Sequence, residues 1–161
     1  MALGLGAALR FYRLDAQSLW SDEGNTARLV ERSLRLIIEG AAGAIHPPGY
    51  SLLLAGWRAL MGDSELALRS FSALCGVLTV AAAAALGRRA GRRAVAVGAA
   101  FFVAAHPLAV YYGQEARMYA LLALAGALTL LAALAFFPDR PKPVGAKSAL
   151  TLAACIILGL Y

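Results

Sequence analysis

Charge is scarce in this chain. Only 15% of its 161 residues are charged, while 61% are hydrophobic. A soluble domain of this size exposes too much surface to keep that much apolar side chain from water. Cysteine is scarcer still. Cys75 and Cys155 each fall inside an apolar run, without metal-type spacing, and read as small buried hydrophobes rather than a disulfide framework. No Gly-rich nucleotide loop, HExxH, CxxC or GxSxG pattern occurs, so the common signatures of nucleotide, zinc-protease, redox and esterase chemistry are missing. No internal repeat occurs, and no secretory leader stands out. Met1–Leu9 is apolar but has no basic segment ahead of it and no cleavage site before Arg10.

What is present is a set of long apolar stretches. Segments of about 66–86, 94–111 and 118–137 are each long enough to cross a hydrocarbon core of ~30 Å at ~1.5 Å per residue. They are rich in alanine and glycine, which lets helices approach closely. Met1–Leu9 reads as the outer end of an earlier helix, and 148–161 as a partial fourth span. The expectation is an all-α, multi-span transmembrane bundle in which 1–161 is the N-terminal part of one domain, truncated at both ends.

The net charge of +6 comes from basic residues concentrated in short loops. Gly87–Arg93 holds four arginines and no acid, and Pro138–Lys147 holds three basic residues against Asp139. That is the asymmetry of cytoplasmic loops, not a phosphate-tracking groove, so no nucleic-acid partner is expected. Alternation then places the loop of about 10–64 and the short Tyr112–Arg117 connection on the extracytoplasmic side. In the first loop, Ala27, Val30, Leu34, Ile37 and Ile38 share one helical face and charged residues the other, with Gly40 as the stop. This predicts an amphipathic helix on the membrane surface. Ser51–Met61 is too short to span and is expected to be a second interfacial helix.

The two extracytoplasmic segments carry the chain's chemistry. Asp22 and Glu23 follow Trp20-Ser21, and Glu115 and Arg117 occupy the tight later connection. Carboxylates at a membrane edge are costly unless they face water, a partner or a substrate. Competing readings are structural. With Ser21 as N-cap, both acids complement a helix dipole; Glu115 and Arg117 form an exposed ion pair; Arg69 snorkels; His46 is an ordinary surface residue on a stiff His46-Pro47-Pro48 segment; and His106-Pro107 is a kink. In its alternative function class, the chain is a non-catalytic membrane module or transporter fragment.

Four segments occur in an order that resembles a known family: Leu19-Trp20-Ser21-Asp22-Glu23, His46-Pro47-Pro48-Gly49-Tyr50, Ala67–Val80 and Tyr112-Gly113-Gln114-Glu115-Ala116-Arg117-Met118-Tyr119. Over about Arg10 to Leu134 the chain looks like the N-terminal part of bacterial glycosyltransferase family 39 proteins. These are relatives of the dolichyl-phosphate-mannose–protein mannosyltransferases and of the aminoarabinose lipid A transferase. The resemblance implies the GT-C fold in a bacterial inner membrane, a polyprenyl-phosphate-linked sugar donor and an extracytoplasmic acceptor. It also implies Asp22 as base with Glu23 and Glu115 as further catalytic carboxylates. His46, Tyr50, Arg69, Gln114 and Arg117 are then substrate-binding, with the three cations suited to the departing phosphate. No metal site is assigned, and the cofactor stays open, a divalent cation included. Where the aminoarabinose branch has a basic residue, this chain has neutral Asn25.

Overall fold

The computed structural model describes residues 1–42 and 48–136, with Leu150, Ala153 and Ala154 as isolated helical positions. All regular structure among them is helical: α1 (Ala2–Phe11), α2 (Ser21–Val30), α3 (Leu34–Ala42), α4 (Gly49–Met61), α5 (Glu65–Arg89), α6 (Arg93–Ala105), α7 (Pro107–Gly113) and α8 (Tyr119–Phe136). His46, the basic Pro138–Lys147 connection and nearly all of the fourth apolar segment lie outside the described residues.

α5 is the axis of the molecule, packing against α1, α4, α6, α7 and α8. Its start follows from Ser64, whose hydroxyl accepts the Ala67 N–H at 3.1 Å, and from Glu65 in the positive first turn. Its end carries Arg88 and Arg89, cations suited to the negative helix terminus. Small residues set how closely the neighbours approach. A Cβ at Gly87 would lie 2.5 Å from Ala96 Cα, so only glycine lets α5 and α6 meet there backbone to backbone. Val80, Ala100 and Ala104 make the next buried layer, with Ala2 of α1 against it.

The outer surface of this layer is apolar too. Leu66, Leu78, Val97, Phe102, Leu108, Leu122 and Leu130 are all exposed. A helix layer that is hydrophobic inside and out suits lipid rather than water. Among the described residues, α5 alone is long and apolar enough to cross a membrane by itself. α6 and α7 qualify only as a pair, while α1 and α8 are shorter apolar helices.

Three expectations are corrected in detail. The second apolar stretch kinks at His106-Pro107 as expected, but sharply enough to make two helices: the backbone breaks at His106, in extended conformation, and the halves bend by 58°. Pro107, with no N–H to continue the ladder, starts α7 at its first position. The amphipathic stretch in the first loop is also two helices, interrupted at Glu31–Ser33. The Ser33 carbonyl accepts the Ile37 N–H at 3.0 Å and opens α3, which runs past Gly40 to Ala42. Val30 and Ile37 are buried, but Leu34 and Ile38 are exposed, so the single apolar face is split. Finally, the N-cap of α2 is Trp20, with Ser21 already in the helix. The remaining elements fall close to their expected positions.

α2–α4 and the connection after α7 gather at the N-terminal end of α5, where Trp57 Nε1 donates to the Ala67 carbonyl at 3.0 Å. The arginine-rich turn lies at the opposite end of α5. With Cys75 and Cys155 replaced by alanine, Asn25→Cys should react with an impermeant thiol reagent on intact cells and Ala90→Cys should not. Ala90 is exposed and is not in the positive-φ conformation of Gly91, so the label reports sidedness rather than strain. Labelling at Ala90 overturns the orientation.

Candidate functional site

Arg69 stands in the second turn of α5 and is buried, as is Glu23 of α2. The pair is bidentate. Arg69 Nε donates to Glu23 Oε1 at 2.9 Å and Nη2 to Oε2 at 2.6 Å. The remaining guanidinium N–H groups reach the carbonyls of Leu14 (3.0 Å), Gln17 (2.6 Å) and Ser18 (3.3 Å). A guanidinium has five N–H groups, and all five are engaged. One residue therefore fixes the 14–18 segment onto α5 while it neutralises Glu23.

Glu23 accepts a third bond, from the Ala116 N–H at 2.7 Å. This brings the two acidic segments together. Burial alone would push the Glu23 carboxyl up, but the Arg69 fork and the Ala116 amide outweigh it and hold it below the ordinary range. Ser72 Oγ adds a second tie to the same connection, donating to the Arg117 carbonyl at 3.2 Å.

Asp22, one position earlier, turns the other way. Its side chain is 42% exposed and pairs with Arg117 Nη1 at 3.2 Å. Arg117 is itself mostly covered and lies 5.7 Å from the centre of the Tyr119 ring. Glu115 is buried at the same junction. The Tyr50 hydroxyl is buried without a hydrogen-bond partner, beneath the connection and close to Ser72 and Arg117, and burial raises its pKa. Gln114 is turned away: its Nε2 donates to the carbonyls of Leu9 (2.9 Å) and Tyr12 (3.1 Å), at the end of α1.

Of the eight sequence-derived candidates, the structure gathers Asp22, Glu23, Tyr50, Arg69, Glu115 and Arg117 at one end of the helices. It places Gln114 at the edge as a tie to α1, and His46 lies outside the described residues. A cavity of about 400 Å³ adjoins the cluster, lined by Tyr12, Arg13, Leu14, Ala16, Gln17, Arg69 and Gln114. Asp22 is not in that lining. Among the described residues no three His, Cys, Asp or Glu side chains come together as a metal-ligand set.

One residue escaped the sequence reading altogether. Arg10, which loop charge places at the start of the first loop, is instead fully buried inside the helix layer. Its signal was a lone arginine closing an apolar segment in a chain whose later span contains a proline.

An apolar helix layer with carboxylates and arginines gathered at one end suits an integral membrane protein with its polar chemistry at the edge of the helices. The comparison that identifies the chain agrees. Residues 45–159 match the model of the dolichyl-phosphate-mannose-protein mannosyltransferase family, and the chain belongs to that family. The matched segment includes Tyr50, Arg69, Gln114, Glu115 and Arg117, whereas Asp22 and Glu23 precede it. Neither a search of curated proteins nor one of solved structures finds a match.

The buried pair predicts a defined pH response. Glu23's folded-state pKa lies below its unfolded value of about 4.3. Its stabilisation is therefore complete above that pH and is lost as pH falls through the folded-state value. Glu23→Gln leaves the Arg69 charge buried without its carboxylate. It should cost about 3–5 kcal/mol at neutral pH and flatten the acid limb of a thermal-unfolding series in detergent. An unchanged acid limb in the variant would show that the pair does not govern acid stability.

Proposed function

We propose that the protein transfers a sugar from a polyprenyl-phosphate-linked donor to an extracytoplasmic acceptor hydroxyl on a protein, lipid or glycan, within the bacterial inner membrane. Membership of the mannosyltransferase family supports the reaction class. The observation that carries the residue assignment is the opposite orientation of the two adjacent acids: Glu23 is enclosed and fully paired, while Asp22 is exposed beside a single arginine.

Asp22 acts as the general base. As the acceptor oxygen attacks the anomeric carbon, Asp22 takes its proton. The bond between that carbon and the donor phosphate oxygen breaks, and the lipid phosphate leaves with the electron pair. Arg117 supplies a fixed cation to that phosphate, together with His46. Arg69 has no N–H left for a ligand, so its part, like Glu23's, is to position: the two hold α2 and the 114–118 connection in register. Glu115 orients the acceptor, and Tyr50 offers its unused hydroxyl from beneath the same connection. The multi-span GT-C bundle, with this end of the helices facing outward, is part of the proposal.

Asp22→Asn in the intact protein removes proton acceptance but keeps shape. Transfer from a labelled polyprenyl-phosphate sugar should fall by about 10²–10⁴, with membrane abundance and unfolding temperature unchanged. An acid that only complements the helix dipole is worth about 0.3–1 kcal/mol, too little to abolish turnover in a folded protein. Near-normal transfer by Asp22→Asn would end the base assignment and leave Asp22 as a helix-terminal charge, whereas no transfer by the unaltered protein would favour a non-catalytic membrane module.

A further inference from the structure

Arg10 is a buried arginine with no carboxylate partner among the described residues. Its Nη1 donates to the Ala104 carbonyl at 3.1 Å and to Gly6 O at 3.1 Å, and its Nη2 to the Val103 carbonyl at 3.0 Å. Val103 and Ala104 are not arbitrary acceptors. In an unbroken helix the Val103 carbonyl would take the N–H of residue 107 and Ala104 that of residue 108. Pro107 has no N–H, and the bend at His106 removes residue 108 from reach. Arg10 fills two of the carbonyls that the break frees at the end of α6. The negative end of the α6 dipole also favours a cation there.

The fit is tight on both sides. A Cβ at Gly76 would lie 2.4 Å from Arg10 Nε, and one at Gly113 would lie 3.1 Å from it. Gly113 ends α7, and Gln114, the next residue, donates to Leu9 O and Tyr12 O. The last turn of α1 therefore holds α7 at both ends, through Arg10 at its start and through Gln114 at its finish.

We propose that Arg10 is a positioning residue for the transfer site. It caps the broken end of α6, stabilises the bend, and thereby sets where the 114–118 connection meets Asp22 and Glu23. This rests on the transferase reading for its functional half, while the structural half stands without it.

The test uses the intact protein with Arg10→Leu, Pro107→Ala, the double variant and Arg10→Lys. Arg10→Leu should lower the unfolding temperature. Adding Pro107→Ala returns an N–H to the ladder and should recover most of that loss. Transfer should not recover. A straightened span misplaces the connection, and a misplacement of ~1 Å suffices for about a hundredfold loss. Arg10→Lys keeps the charge but not the three-carbonyl reach, and should lower kcat about tenfold with the donor KM within about threefold of normal.

A double variant as unstable as Arg10→Leu alone would overturn the capping role. Transfer restored in the double variant would overturn the positioning role. A cavity of about 130 Å³ borders Arg10, lined also by Thr79, Leu108 and Tyr112. A raised donor KM with kcat intact in Arg10→Lys would assign Arg10 to direct contact with the donor phosphate instead. The stability arm reads the same whatever the protein transfers. Absence of transfer by the unaltered protein would sink the proposed function and the positioning role with it, and would leave the capping role standing.

Discussion

A carboxylate and a guanidinium removed from water together are stable only when every remaining donor and acceptor is met. Glu23 and Arg69 satisfy that condition by reaching into three separate pieces of chain: the 14–18 segment, the first turn of α2 and the amide of Ala116. Remove Glu23 and Arg69 is a buried charge held by three carbonyls; remove Arg69 and Glu23 is a buried charge held by one amide. Beside the pair lies an apolar cluster of Val30, Tyr50, Leu54, Leu68 and Ala116, with Leu19, Trp57 and Phe71 packed against it, so ion pair and hydrophobic contact fix the same end of α5 together.

The helix layer below follows a different rule. Its helices touch through alanine and glycine, and its large side chains point outward. In lipid there is little to gain by hiding leucine, so close backbone approach and satisfied carbonyls decide the packing. That makes the break at Pro107 expensive unless something donates to it, and a cation from a neighbouring helix does. The bend and the Glu23–Arg69 cluster are thus two ends of one device: α7 is the short lever between them.

Much of this was legible in the residues. Hydrophobic runs locate α5, the α6–α7 pair and α8, because a lipid-facing helix needs no amphipathic pattern to be recognised. Ser64 announces the start of α5 by its capping chemistry, and loop charge together with short connections brings Asp22, Glu23 and Glu115 to one end. Composition could not separate the roles of adjacent acids. Asp22 and Glu23 are the same chemistry one residue apart, and only the ~100° rotation per helical residue, fixed by Trp20 as cap, sends one inward and the other out. Arg69 read as a phosphate ligand because the engagement of all its donors depends on backbone carbonyls, which carry no sequence signature. The split of α2 from α3 is hidden for a related reason: periodicity over 27–39 survives a three-residue interruption, so the pattern alone does not mark Ser33 as a second start.

The way the outer cluster is assembled has a consequence for how the protein is made. Glu23 finds its cation 46 residues later and its amide 93 residues later in the chain. At a synthesis rate of roughly 5–20 residues per second, α2 waits some seconds for Arg69 and about twice as long for Ala116. During that interval its first turn carries two uncompensated carboxylates. The outer end becomes one unit only after α5, the bent pair and the connection beyond them have all been laid down. Biogenesis therefore joins these segments late and together, and a chain interrupted between Arg69 and Ala116 would close the ion pair without the amide that locks it.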